Sequence, residues 1–465
     1  MQRIMIRAGR SPFDRLDAVE TWSRNVIGNN NGNLVFSTAT HKLLSTAGTE
    51  VVPNRYAANA EFADEVNDTC DAFVLPFANA FRPSFERTLV NHAAFIRKLK
   101  IPFALLSCGA QLPAEGGFER LKKIEKAAKA FCSAVLEKSS AITVRGEVTA
   151  DYIRSLGFRD VLVIGCPSMT MNGRGHRVEV KPPSRLRRPR VAYNIQSSKD
   201  MLGALVADIE KSATASYFPQ DIETLDMMLW GLDRYDEDRD PQLPLRSEHR
   251  QFTRGRAEYA LDAFSWMHRM RSFDLAVGPR IHGNIVAILA GTPGLVLAHD
   301  SRTLELARYH GIPHVAPAEL DGLRSLEDLY PRLDFTEFNR GHGERFDRLV
   351  GFLRENGFAT IYDPDQTAAR AAYEQRVAAW PNDGFVGTTW RTLSGVERGR
   401  LRYLRQRQLE DVEARRRSAV ELKSARTRIA RLEALLAESA GADGVAAPDR
   451  FTLEDESVGS APASS

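Results

Sequence analysis

Arg280 and His282 stand two residues apart, just beyond a short apolar run, Leu275–Val277, that stops at Gly278-Pro279. A guanidinium beside an imidazole supplies two kinds of chemistry. One is a fixed cation for phosphate or carboxylate, and the other is a group that takes up or releases a proton near neutral pH. The flanking pattern says where they sit. Gly283–Leu289 is an apolar stretch compatible with a buried helix, Gly291-Thr292-Pro293-Gly294 is turn chemistry, and Leu295–Ala298 predicts another strand. In an open α/β sheet this order puts Arg280 and His282 in the crevice at the carboxyl end of a strand. The helix N-terminus beside them offers free N–H groups and a dipole that favour an anion. The implied chemistry is a phosphorylated or carboxylated substrate and a proton transfer.

The rest of the chain supplies units that can hold such a crevice. Before residue 172, Ile4–Ile6, Ala141–Val144 and Val161–Ile164 read as strands, and Asp71–Pro76 and Ile101–Ser107 as buried strands. Between them Leu34–Leu44, Phe85–Leu99, residues 118–138 and Asp151–Leu156 carry helical spacing. Strands alternating with helices predict a parallel sheet covered on both faces. Gly28-Asn29-Asn30-Asn31-Gly32-Asn33 precedes the first helix, and such a cluster adopts left-handed backbone conformations and turns N–H groups toward a ligand. Residues 173–190 are basic and rich in proline, and predict a linker.

Val191–Ile195 restarts the pattern as the first strand of a second domain. Residues 211–256 are harder to place and read as an insertion beside the cleft, whereas Leu261–Met270, Arg302–Tyr309, 344–356 and 366–380 read as helices and Ile312–Val315 as an edge strand. The expected division is therefore 1–172, a linker at 173–190, 191–335 carrying the Arg-x-His element, and closing helices over 336–385. A helical extension over 396–440 places Leu422, Ala425, Ile429, Leu432 and Leu436 at heptad spacing, enough for a short coiled coil and a homodimer through residues 400–437. The tail, 441–465, has a disordered composition.

Composition limits the partners. With 63 basic and 60 acidic residues the net charge is +3, which argues against nucleic acid as the main partner. Arg7 and Arg10 break the apolar core a secretory leader needs, and the longest apolar run, Ile285–Ala298, is interrupted and shorter than the ~20 residues of a membrane span. Cys70, Cys108, Cys132 and Cys166 lie far apart with no C-x-x-C pair. A soluble cytoplasmic protein with buried reduced thiols and no zinc site is expected. Arg415-Arg416-Arg417 could touch an anionic membrane surface, although a solvated helix face explains it as well. Asp363-Pro364-Asp365 reads as a cap and turn, not a metal pair.

Arg280-x-His282, Ala290-Gly291-Thr292-Pro293, Asp300, Glu305-Leu306 and Gly311-Ile312-Pro313 together resemble the C-terminal half of the polysaccharide pyruvyl transferase family. Asn30-x-Gly32-Asn33, Val144-Arg145-Gly146-Glu147 and Gly165-Cys166-Pro167-Ser168 resemble its N-terminal half, over roughly residues 20–335 in all. Asn33 departs from the pattern, because the family often has aspartate there. The resemblance implies an α/β fold of two Rossmann-like domains facing a cleft, similar to GT-B glycosyltransferases. It further implies transfer of pyruvate from phosphoenolpyruvate, a co-substrate, onto two hydroxyls of a saccharide or lipid-linked oligosaccharide, giving a ketal and phosphate. No metal or redox cofactor is demanded. On this reading His282 is the general acid/base, Arg280, Ile281, Gly283 and Arg145 hold the donor, and Asn30, Gly32 and Asn33 shape the acceptor side. A glycosyltransferase using a nucleotide sugar, or a non-catalytic scaffold in polysaccharide assembly, are the competing readings.

Overall fold

The computed structural model describes residues 1–112, 117–181, 188–196, 202–233 and 240–443. The chain divides into one compact unit, Met1–Tyr403, and a second beginning at Leu404.

Two parallel sheets form the compact unit. The first contains β1 (Gln2–Ile6), β2 (Thr49–Pro53), β3 (Ala72–Pro76) and β4 (Phe103–Leu106), in the order β2-β1-β3-β4. It is extended by β5 (Ile142–Val144), which pairs in parallel with β6 (Val161–Val163). The join lies at Cys108, whose N–H donates to the Thr143 carbonyl (3.0 Å) and whose carbonyl accepts from Arg145 N–H (3.0 Å). The second half contributes β7 (Arg190–Tyr193), β8 (Thr214–Tyr217), a two-residue β9 (Tyr259–Ala260), β10 (Leu275–Gly278), β11 (Gly294–Leu297), β12 (His314–Val315) and β13 (Phe385–Val386). Its sheet runs β12-β11-β10-β7-β8, while β9 and β13 form a small antiparallel pair.

Parallel sheets of this kind are covered on both faces, so their strands are apolar throughout. Every residue of β3, β4, β10 and β11 is buried. Alternation then sends Phe73 and Leu75 to one face, against Phe95 and Phe131, and Ala72 and Val74 to the other, against Leu349 and Leu353. The last pair belongs to the helix Thr336–Glu355, so the chain returns from the second sheet to close the first. The result is two Rossmann-like halves facing a cleft, the GT-B-like arrangement.

Several sequence expectations need correction. Residues 211–256 are not simply an insertion: β8 is the edge strand of the second sheet, paired with β7 from Arg190–Thr214 to Tyr193–Tyr217, and Ile222–Trp230 is a helix. β2 and the helix Phe62–Thr69 were not anticipated. Residues 118–138 begin with a tighter 3₁₀ segment, Phe118–Ile124, before the α-helix Glu125–Leu136. The helix after Arg280 starts at Ile281, not Gly283, which moves His282 into its first turn.

All four cysteines are buried and free. Asp363 accepts from Thr360 N–H (2.9 Å) and Thr360 Oγ1 (2.8 Å), a turn-closing role. Among the described residues no helix is long and apolar enough to cross a membrane. The extension is a single helix, Gly395–Asp443, on which Leu422, Ile429 and Leu432 are exposed. Part of the expected linker, 182–187, and the tail from 444 lie outside the described residues.

Candidate functional site

A cavity of about 420 Å³ opens where the carboxyl ends of the two sheets meet. Arg7 follows β1, Asn79 and Arg82 follow β3, Arg145 follows β5, Gln196 follows β7, Gln220 and Asp221 follow β8, Arg280 follows β10 and His299 follows β11, and all of them line it. Each sheet reverses its strand order at one point, between β1 and β3 and between β7 and β10. Open α/β sheets bind ligands outside such switch points.

The Arg280 loop is built from the second sheet. Asn194 is buried and stands directly after β7; its Oδ1 accepts from Arg280 N–H (2.7 Å). Asn284 Nδ2 donates to the carbonyls of Gly278 (2.9 Å) and Arg280 (3.2 Å), which ties the turn to the helix it starts. Arg280 itself reaches Asp221 Oδ2 at 3.3 Å. Asp221 caps the next helix through Thr224 N–H (2.8 Å), so the carboxylate that aims the guanidinium is fixed from both sides.

Across the cleft, Gly28 and Asn29 adopt φ of 55° and 71°, the left-handed conformations expected of the Asn/Gly loop. The loop is stitched to the other half by Asn31 N–H to Gln220 O (2.9 Å), Ile222 N–H to Asn29 O (3.2 Å) and Asn31 Nδ2 to Ala260 O (3.0 Å). These bonds bring the N-terminus of the helix Gly32–Leu44 against that of Ile281–Leu289. At Gly32 the approach is so close that a Cβ would lie 2.8 Å from His282 Cβ. Two helix dipoles thus direct their positive ends at one space.

His282 is buried, lines the cavity, and has Nε2 3.7 Å from Cys166 Sγ, which in turn lies 3.3 Å from Ser168 Oγ. Burial, and then the nearby Arg145 cation, push its pKa down to about 3, so the imidazole is neutral at pH 7. Arg145 is also buried; Nε donates to Ser107 O (3.3 Å), and Nη2 has no hydrogen-bond partner among the described residues. It does not pair with Glu147, which is engaged by Arg154 at 3.2 Å. An orphaned buried guanidinium nitrogen is costly unless a ligand meets it.

The sequence-derived residues divide accordingly. Arg280, Ile281, His282, Arg145, Asn30 and Asn33 all line the cavity, and Gly32 adjoins it by its contact with His282. Gly283 is not among the residues that line the cavity: its N–H donates to Arg280 O (3.1 Å), and its α-carbon faces Asn194 and Gln220. Asn33 explains the departure from the family's aspartate. Its Nδ2 donates to the carbonyls of Ile27 (2.9 Å) and Gly28 (3.3 Å), which a carboxylate cannot do. Asn30 Oδ1 accepts from Gly32 N–H (2.8 Å) and holds the turn. His299 lines the cavity, and Asp300 caps the helix Ser301–His310 and pairs with Arg302.

Sequence reasoning missed Arg7, Asn79, Arg82, Asn194, Asp221 and Arg302. Arg7 and Asn194 immediately follow apolar strands, the same signal that marks Arg280. The others sit farther into loops or on a helix, where spacing gives no sign of them.

No curated protein matches the chain significantly. Among solved structures, UDP-GlcNAc 2-epimerase from Neisseria meningitidis bound to UDP-GlcNAc aligns at 10% identity and TM-score 0.41, over 76% of this chain and 100% of that one. The Methanocaldococcus jannaschii enzyme in complex with UDP-GlcNAc and UDP aligns at 11% and 0.40, over 76% and 100%. The glycotransferase of kitacinnamycin aligns at 13% and 0.30, over 80% and 98%. The sequence profile of the polysaccharide pyruvyl transferases matches residues 29–301, from the Asn/Gly loop through the Arg-x-His helix to the start of Ser301–His310. The chain belongs to the polysaccharide pyruvyl transferase family.

Proposed function

We propose that the protein transfers pyruvate from phosphoenolpyruvate to two hydroxyls of a saccharide, forming a cyclic ketal and releasing phosphate. The observation that carries this reading is the buried Arg145, with its unpartnered Nη2, on the same cavity as Arg280 and the neutral His282. A donor with a phosphate and a carboxylate needs such cations.

In the proposed reaction the donor's anionic groups lie between Arg145, Arg280 and the N-terminus of Ile281–Leu289. Their negative charge offsets the effect of Arg145 on His282 and raises the imidazole's proton affinity. A proton goes to the methylene carbon of the donor, making it a methyl group and C2 electrophilic. The first sugar oxygen bonds to C2 and loses its proton; the C2–O bond to phosphate then breaks, and the second sugar oxygen closes the ring. One hydroxyl proton balances the new methyl group, and the other leaves with phosphate. His282, as general acid/base, moves these protons. Written this way the reaction uses no metal or redox cofactor, and its acceptor is a saccharide or lipid-linked oligosaccharide met in the cytoplasm. The exposed Leu422, Ile429 and Leu432 would pair two copies through the extension helix.

The test is incubation of the purified protein with phosphoenolpyruvate and a panel of pyranosides and their phosphates. Phosphate release that depends on one acceptor supports the reading. Unchanged phosphoenolpyruvate beside consumption of a nucleotide sugar would favour a glycosyltransferase.

A further inference from the structure

Arg7 and Arg82 follow the two strands that flank the first sheet's switch point, and Arg302, from the helix after β11, reaches Asn79 in the same loop as Arg82; all three line the cavity. How they are held is informative. Arg7 lies over the rings of Tyr56 (4.8 Å) and Phe77 (5.1 Å), and Arg82 over Phe85 (3.4 Å). With its amide oxygen turned toward them, Asn79 accepts from Arg82 Nη1 (2.6 Å) and Arg302 Nη1 (2.8 Å) at once. Aromatic faces and a neutral amide fix guanidinium groups without neutralising them. Of the three, only Arg302 has a carboxylate partner, Asp300, among the described residues. Burial, and then the neighbouring Arg302 and Arg7 cations, lower the proton affinity of Arg82 to a pKa of about 10.

Cations assembled at such a cost are compensated by an anion. The donor does not account for them: a three-carbon molecule held at Arg280 and Arg145 fills a minor part of a 420 Å³ cavity. A carboxylate is matched by one planar fork, whereas three guanidinium groups from three segments suit the oxygens of a phosphoryl group. We infer that the Arg7–Arg82–Arg302 cluster is a second anion subsite that binds a phosphoryl group of the acceptor, so the saccharide acted on is a sugar phosphate or diphosphate. The inference rests on the pyruvyl-transfer reading for the word acceptor, but the subsite itself can be tested without turnover.

The experiment is titration calorimetry on the full chain with phosphoenolpyruvate and inorganic pyrophosphate, each alone and each with the other saturating. Both are expected to bind together. Arg82→Gln should weaken pyrophosphate by about 10-fold or more, the loss of one charge-assisted pair, and phosphoenolpyruvate by less than about threefold. Arg280→Gln should do the reverse. Should Arg82→Gln not fold, Arg82→Lys keeps the charge but loses the fork, and a smaller loss confined to pyrophosphate is expected. Geranyl diphosphate and UDP, added as competitors with phosphoenolpyruvate saturating, distinguish a lipid-linked from a nucleotide-linked source; displacement of pyrophosphate by either supports the subsite. Mutual exclusion of phosphoenolpyruvate and pyrophosphate, or equal weakening of both by Arg82→Gln, would assign the cluster to the donor and overturn the inference. Absence of phosphoenolpyruvate binding with pyrophosphate still lost in Arg82→Gln would instead count against pyruvyl transfer and leave the anion subsite standing.

Discussion

Gly32→Ala tests whether the two helix N-termini must touch for the site to exist. The new methyl would stand 2.8 Å from His282 Cβ and 2.8 Å from Asn30 Oδ1, where contact between carbon atoms is comfortable at roughly 3.5–4.0 Å. Something must move by about 0.7–1.2 Å. Neither neighbour is free to yield: His282 Cβ is fixed by its helix backbone, and Asn30 Oδ1 is the acceptor for Gly32 N–H itself. Overpacking of this kind costs about 1–3 kcal/mol. A displacement near 1 Å at an acid/base group costs on the order of 100-fold in rate. The assays are urea unfolding and acceptor-dependent phosphate release, measured on the same preparation. The expected outcome is a modestly earlier unfolding midpoint and a turnover lower by about two orders of magnitude. Wild-type turnover and an unchanged midpoint would refute the claim that close approach at Gly32 positions His282.

Asn33→Asp, although it restores the family's residue, should destabilise the chain by about 1–3 kcal/mol, because two carbonyls lose their donor and face a carboxylate; urea unfolding reads this. Glu305 is buried, and accepts from Thr149 N–H (2.9 Å) and Oγ1 (2.7 Å) at the start of the helix Glu147–Ser155. Burial raises its pKa to about 7, against an unfolded value near ~4.3, so its contribution to stability is fully present below the lower value and is lost as pH rises through the upper one. Stability measured from pH 4.5 to 7.5 should therefore decline more steeply in the wild type than in Glu305→Gln; parallel curves would contradict this. Removal of residues 404–465 should leave a monomer by light scattering if the extension joins two copies, with acceptor-dependent phosphate release retained.

What the sequence made legible follows from how local each signal is. Arg280 and His282 could be found because a buried strand, a turn and an apolar helix bracket them within a few residues, and the Asn/Gly loop because its composition specifies its backbone. The second-sheet edge strand, Thr214–Tyr217, could not: its neighbours in sequence are mixed in charge, and its apolar character is confined to alternate positions. β2 was hidden for a related reason, since only Val51 of its five residues is buried. Asn79 and Arg82 share one loop, while Asp221 and Arg302 come from two other segments, and each looks like an ordinary surface residue until the fold gathers them. His282 shows the remaining limit. Its residue type suggests a group titrating near neutrality, whereas burial and Arg145 hold it neutral at pH 7.

The most direct test of pyruvyl transfer is carbon NMR of products formed from phosphoenolpyruvate labelled at C2 and a phosphorylated saccharide, with His282→Ala as control. The expected result is a labelled quaternary carbon bonded to two sugar oxygens and a methyl group, formed with one equivalent of phosphate and lost in the variant. Label recovered only as unreacted phosphoenolpyruvate or free pyruvate, or a ketal formed equally well by His282→Ala, would contradict it.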